Sequence, residues 1–206
     1  MIISFRHKFI FIAIPKTATH AFRVALRPHL AKSDWEQSVL FDKNYFPVKP
    51  LAEIGHGHLR WREVQPFLLP EMRATFFKFC TVRNPFERFV SYCRFINHDN
   101  HKMETAALGT MKQIISDGNN HGKVLFRPQF EFVSDAEGKL AVDYVCRYEH
   151  LQTDFDVVCE KLKLPPGKLA KINATDSEKY QKFYDDELRA MVRDFYQKDF
   201  KMFGYQ

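Results

Sequence analysis

Three short apolar runs punctuate the chain, Phe9–Ile14, Thr75–Val82 and Tyr144–Arg147, and each is followed by a stretch of helical periodicity. Runs of this length, bounded by polar residues, read as strands buried on both faces of a parallel sheet. After the first, Phe22, Ala25, Leu26 and His29 fall at i, i+3, i+4 and i+7. After the second, Phe86, Phe89, Val90 and Cys93 repeat that spacing, with Pro85 suited to a first helical turn. After the third, Leu151, Phe155, Val158 and Leu162 form a stripe that stops before Pro165-Pro166. Near the end, Leu188, Met191, Val192 and Phe195 predict a further amphipathic helix. Strand–helix units repeated in this way predict an α/β fold with a central parallel sheet flanked by helices. The opening MIISFRHKFIFIAI reads as a strand. Its apolar stretch is far short of the roughly 20 residues that span a bilayer, and Pro15-Lys16 stands where a secretion signal would carry a small-residue cleavage site. The weakly periodic stretch Ala31–Pro50 is expected to wrap the surface. Residues 97–122 open with Asn97, His98, Asn100 and His101 and then turn helical, which suggests an insertion over one sheet edge.

With 206 residues, no internal repeat and no Gly/Ser linker, the chain is expected to be one domain, 1–206. An apolar content of 45% excludes disorder and low-complexity classes. The net charge of +6 favours anionic partners without choosing among phosphate, sulfate, nucleic acid and acidic sugar, and no nucleic-acid motif is present. Cys80, Cys93, Cys146 and Cys159 show no CxxC or disulfide-scaffold spacing, so they read as buried free thiols of a reducing compartment.

In open α/β sheets, ligands bind beyond the carboxyl ends of the strands. After the first predicted strand comes IPKTATHAF, Ile14 to Phe22. A strand that ends in Pro-Lys-Thr and turns into a helix sets Lys16 and several amides at a helix N-terminus, where the dipole and the free N–H groups attract anions. It is not a Walker A loop, because GxxxxGK[ST] is missing and the turn holds no glycine. After the second strand comes RNPFERFVSY, Arg83 to Tyr92. Here Arg83 leaves the strand, and Arg88 and Ser91 lie three apart on one polar flank of the helix, suited to a second phosphate-like group. Between these motifs lies GHGHLRW, Gly55 to Trp61, with His56 and His58 on one side of an extended segment. The pair fits either a metal site, for which the other histidines offer no recognisable spacing, or a general base.

Taken together, these segments resemble the sulfotransferase family that uses 3′-phosphoadenosine 5′-phosphosulfate (PAPS). Within it they are most similar to the carbohydrate branch, with heparan sulfate 2-O-sulfotransferases and their bacterial relatives. IPKTATHAF resembles the 5′-phosphosulfate loop, RNPFERFVSY the 3′-phosphate motif and GHGH a His-x-His base segment. The likeness continues through RPQFEFV (127–133), RYEHL (147–151), KINATD (171–176) and the closing FYDDELRAMVRDFYQKDFKMFGY. One departure stands out: Thr19, His20 and Ala21 occupy places where the family carries Gly or Ser and then Thr or Ser. A hydroxyl contact to phosphate would be lost there, or supplied by Thr19 or His20.

The resemblance implies a P-loop-like three-layer fold and in-line transfer of a sulfuryl group from PAPS to an acceptor hydroxyl, without a metal. His58 would be the base and His56 its partner. Lys16 would neutralise the bridging oxygen, and the amides of Thr17, Ala18, Thr19, His20 and Ala21 would surround the 5′-phosphate. Arg83 and Ser91 would clamp the 3′-phosphate. The acceptor is expected to be a carbohydrate or another small hydroxylated molecule, with Arg60, Arg62 and Arg94 available to an acidic sugar. The lack of a membrane anchor suggests a cytoplasmic, bacterial enzyme; oligomeric state is not readable. Two alternatives compete. A P-loop kinase would need an acidic Mg²⁺ ligand after the second strand, where Thr81-Val82-Arg83 offers none. A non-catalytic polyanion-binding module would need only the charge.

Overall fold

The computed structural model describes residues 1–39, 43–170 and 180–206, which form two compact units. KINATD falls within 171–179, outside the described residues.

The first unit comprises Met1–Val82 and Gln129–Ile172 and holds the sheet. Its strands are β1 (Ile2–Ser4), β2 (Phe9–Ile12), β3 (Trp35–Glu36), β4 (Phe77–Val82) and β5 (Tyr144–Arg147), in the order β3-β1-β2-β4-β5. The three predicted runs become β2, β4 and β5. They are parallel, with Phe9 opposite Phe77, Ile12 opposite Cys80, and Val82 opposite Arg147. The sheet as a whole is mixed, which corrects the expectation of a purely parallel one: β1 pairs antiparallel with both β2 and β3.

The opening segment is a hairpin and not a single strand, for a local reason. The polar break Arg6-His7-Lys8 turns the chain, with Lys8 in the left-handed region at φ 51°. Asp34 ties the turn down by accepting from Ser4 Oγ at 2.8 Å and from the Phe5 amide at 2.7 Å. The 31–50 stretch likewise does more than wrap the surface. It supplies β3 and the fully buried Gln37, whose side chain donates to the carbonyls of Leu51 (2.9 Å) and His56 (3.0 Å).

Helix α1 (Thr19–Leu26) follows β2 and buries Phe22 and Leu26. It stops before Pro28, so His29 falls in a 3₁₀ turn beyond its end. Phe22 stacks on Phe11 of β2 at 5.6 Å and meets Phe155 edge-on at 5.1 Å. A helix over 151–162 follows β5 with Phe155, Val158 and Leu162 buried, and Lys163 in the left-handed region ends it before the two prolines.

The second unit, Arg83–Pro128 with Asn173–Gln206, is helical. In it α2 (Pro85–Ile96) starts at Asn84, whose side chain accepts from the Phe86 amide at 3.0 Å, with Pro85 in the first turn. Its apolar face, Phe86, Phe89, Val90 and Cys93, packs with Phe126, Leu188 and Val192. The 97–122 segment adds Met111, Ile114 and Ile115 to this core. The helix predicted over Leu188–Phe195 runs from Asp186 to Phe195, with the Asp185 side chain accepting from the Leu188 amide at 2.8 Å. All four cysteines are free and buried, and burial pushes their thiols up, away from reactive thiolate. Among the described residues, no helix is long and apolar enough to cross a membrane.

Candidate active site

The turn after β2 has an uncommon backbone conformation. Lys16 and Ala18 both sit in the left-handed region, at φ 66° and 63°. For residues with a Cβ this conformation costs on the order of 1–3 kcal/mol each, and it tends to persist where a binding site requires it. Turns that mix left- and right-handed conformations point successive amides into one concavity that suits phosphate or sulfate. Ala18 caps α1 without a side-chain hydrogen bond, and the first helical turn carries no acidic residue, so nothing there opposes an anion.

Thr17, at the centre of the turn, faces inward. Its buried hydroxyl donates to the Ile14 carbonyl at 2.9 Å and lies 2.7 Å from Thr81 Oγ1. Since the Thr17 proton is committed to Ile14, Thr81 is the donor in that pair. Thr17 therefore braces the turn against the end of β4. Thr19 is buried, and Lys16 and His20 are half-buried.

His58 is anchored to the same strand end. Its Nδ1 lies 2.8 Å from the carbonyl oxygen of Ala13, three residues before Lys16. A carbonyl only accepts, so Nδ1 carries the hydrogen and Nε2 keeps the basic lone pair. Burial pushes the imidazole pKa down to about 3; the Ala13 carbonyl opposes this, while Arg23, the Met1 nitrogen and His56 add to it. The ring is therefore a neutral acceptor near pH 7. His56 is its neighbour, with ring centroids 6.5 Å apart. Among the described residues no group of three or more His, Cys, Asp or Glu side chains is placed to hold a metal ion.

Beyond the histidines, Arg60 is not a bare cation. It bonds Glu63 through Nε at 2.8 Å and through its backbone amide at 2.7 Å, and Glu131 lies 4.0 Å from Nη1. Burial raises the Glu63 carboxyl, but these bonds from Arg60 outweigh it and hold the group below its ordinary value. Arg62 reaches Glu131 at 3.6 Å. Two of the three arginines expected to meet an acidic sugar, Arg60 and Arg62, are thus already paired with carboxylates.

Arg83 and Ser91 belong to the second unit. Arg83 Nη2 donates to Glu87 Oε1 at 2.8 Å, with both side chains almost fully buried (3% and 4% exposed). Ser91 is half-buried on α2. Arg88 does not share a polar flank with Ser91: it is buried at 1% exposure and donates to the carbonyls of Leu125 (3.2 Å) and Arg127 (2.8 Å). Its chemistry is structural, because those loop carbonyls need donors. Arg94 stacks over Phe183 at 5.0 Å.

Sequence reasoning did not find Glu87, Arg23 or Gln37. The i, i+4 spacing of Arg83 and Glu87 signals the first. Nothing local signals the other two, whose partners lie far away along the chain.

No curated protein matches the chain in sequence. The family model described as the sulfotransferase family matches residues 1–206, its whole length. This full-length match shows that the chain belongs to the sulfotransferase family.

Proposed function

We propose that this protein transfers a sulfuryl group from PAPS to the hydroxyl of a carbohydrate or another small acceptor, with His58 as the base. The observation that carries the reading is the bond between His58 Nδ1 and the Ala13 carbonyl, which sets a neutral imidazole three residues from the start of the anion turn. The residues of that turn suit the donor. Paired left-handed residues, a helix start without carboxylates and the charge of Lys16 form a P-loop-like cradle for a phosphosulfate.

When bound, PAPS supplies the activated sulfuryl group and departs as adenosine 3′,5′-bisphosphate. The chain supplies three things. His58 Nε2 takes the proton from the acceptor hydroxyl as it attacks, and His56 orients the base or shares its work. Lys16 offsets charge gathering on the bridging oxygen, and the amides of 17–21 hold the 5′ end. Arg83, its guanidinium oriented by Glu87, and Ser91 are assigned the 3′-phosphate by the family likeness. The family model spans both compact units, which supports treating 1–206 as one sulfotransferase domain.

An imidazole at about 3 is a weak base in the free protein. A bound polyanion beside it would raise that value toward the working range. The pairing of Arg60 and Arg62 with Glu63 and Glu131 favours a neutral hydroxylated acceptor over a strongly acidic one in that region.

The test is transfer from labelled PAPS to a panel of sugars and simple alcohols in the presence of EDTA. Label appearing on a hydroxyl supports the reading. Transfer from ATP with Mg²⁺ and none from PAPS would replace it with a kinase.

A further inference from the structure

Arg23 has no task in the scheme above, yet its guanidinium is buried against the histidine segment. It projects from α1 and is 5% exposed. Nη1 donates to the Gln37 carbonyl at 2.8 Å and Nη2 to the Gly57 carbonyl at 2.7 Å. The Met1 nitrogen donates to the same two carbonyls, at 3.2 and 2.5 Å. Glu36 lies 3.6 Å from Nη1 and is shared with Arg27, which it meets at 2.9 Å. Gln37 in turn holds the His56 carbonyl. The carbonyls of His56 and Gly57, between the two histidines, are thereby held by two buried polar side chains.

Gly57 is the residue that lets this happen. A Cβ there would stand 2.4 Å from the Gln37 carbonyl oxygen and 2.8 Å from Arg23 Nη2. The glycine admits the guanidinium and the Gln37 backbone at a distance no other residue permits. Burying a guanidinium costs several kcal/mol of hydration, and filling the space would need only a leucine or methionine. One of the two Arg23 bonds goes to a main-chain carbonyl of the segment that carries the base, that of Gly57, and the helix it stands on begins at the turn after β2.

We propose that Arg23 is a positioning residue for the base: by gripping the Gly57 carbonyl from α1, it makes His58 and the Lys16 turn one rigid body. This rests on the reading of His58 as the base. A second effect follows from charge. The groups that face the imidazole are Arg23, the Met1 nitrogen and His56, which disfavour a second proton, and the Ala13 carbonyl, which favours one. Burial is the larger cause of the low value, and the charge of Arg23 adds to it.

Two variants test it: Arg23→Met, which keeps the bulk and removes donors and charge, and Arg23→Lys, which keeps the charge and loses the fork that spans two carbonyls. Three readouts apply: the His58 ring by nitrogen-resolved NMR between pH 5 and 8, kcat and KM with PAPS, and affinity for adenosine 3′,5′-bisphosphate. The wild-type ring should stay neutral with hydrogen on Nδ1. In Arg23→Met it should mix tautomers and titrate at higher pH. Its kcat should fall on the order of 100-fold, as for a misplaced catalytic group, with KM for PAPS and product affinity unchanged.

Arg23→Lys should recover the titration but only part of kcat. A folded Arg23→Met with the wild-type ring spectrum and kcat would reduce Arg23 to a core residue. If Arg23→Met does not fold, a wild-type spectrum and kcat in Arg23→Lys would overturn the grip by itself. If His58→Ala keeps its turnover, the assignment of the base fails, and the NMR comparison still decides whether Arg23 positions the ring.

Discussion

The carbonyl of Ala13 and the Nδ1 of His58 are hydrogen-bonded at 2.8 Å, 45 residues apart in the chain. One bond thus fixes the tautomer of the proposed base and places it beside the strand end that leads into the anion turn. His58→Ala should lower kcat by about 10²–10⁴, the range of general-base contributions. Binding of adenosine 3′,5′-bisphosphate should persist. A variant with near-normal turnover would show that another group takes the proton.

The same bond enters the pH dependence of stability. The His58 pKa is about 3 in the folded chain against 6.5 for an ordinary histidine. The unfolded chain therefore binds the extra proton more readily, and stability rises with pH across this window. The contribution is complete above about pH 6.5 and is lost as pH falls toward 3. Urea unfolding of wild type and His58→Gln at pH 7 and pH 5 measures it. The wild type should lose more stability between the two than the variant does, and equal losses would contradict a buried neutral imidazole.

Gly57→Ala should disturb the fold and the site together. The added Cβ would meet the Gln37 carbonyl oxygen at 2.4 Å, and backbone has to move to relieve it. Overpacking of this kind costs about 1–3 kcal/mol. In a domain of this size that lowers the melting temperature by about 2–4 °C for each kcal/mol. Gly55→Ala would be a poor control, because Gly55 has φ 72° and is strained by a side chain for a different reason. Gly118 has open space around it and a negative-φ backbone, so Gly118→Ala should leave the melt near wild type.

Glu87 is a buried counter-ion of Arg83, and Glu87→Gln would remove the carboxylate charge that lies 2.8 Å from the guanidinium. Breaking such a pair from one side costs about 3–5 kcal/mol. Chemical denaturation should register a loss of that order. A neutral result would mean that Arg83 turns outward and that its orientation does not depend on Glu87.

The run-and-stripe pattern was enough to locate β2, β4, β5 and the helices that follow them, because buried parallel strands and amphipathic helices advertise themselves locally. It did not reveal β1 and β3 as separate strands. β1 is three residues long and is parted from β2 only by the short turn around Arg6-His7-Lys8, and β3 is two residues long, held by pairing with β1 and by the buried Gln37. His56, His58 and Lys16 stood out by residue type and by position after or between strands. Their supports did not. Arg23 looks like any helix arginine until Gln37 and Gly57 are brought to it from elsewhere in the chain. Arg88 misled in the opposite direction, since spacing placed it on a polar flank while the carbonyls of Leu125 and Arg127 draw it into the core.

If this chain holds a doubly phosphorylated adenosine without a metal, thermal melting in EDTA will register it. Adenosine 3′,5′-bisphosphate at about 100 times its Kd should stabilise the protein by about 2.7 kcal/mol. That should raise the melting temperature by roughly 5–11 °C, and Lys16→Ala should reduce the rise. No shift with that nucleotide, or a shift only with ATP and Mg²⁺, would contradict the account.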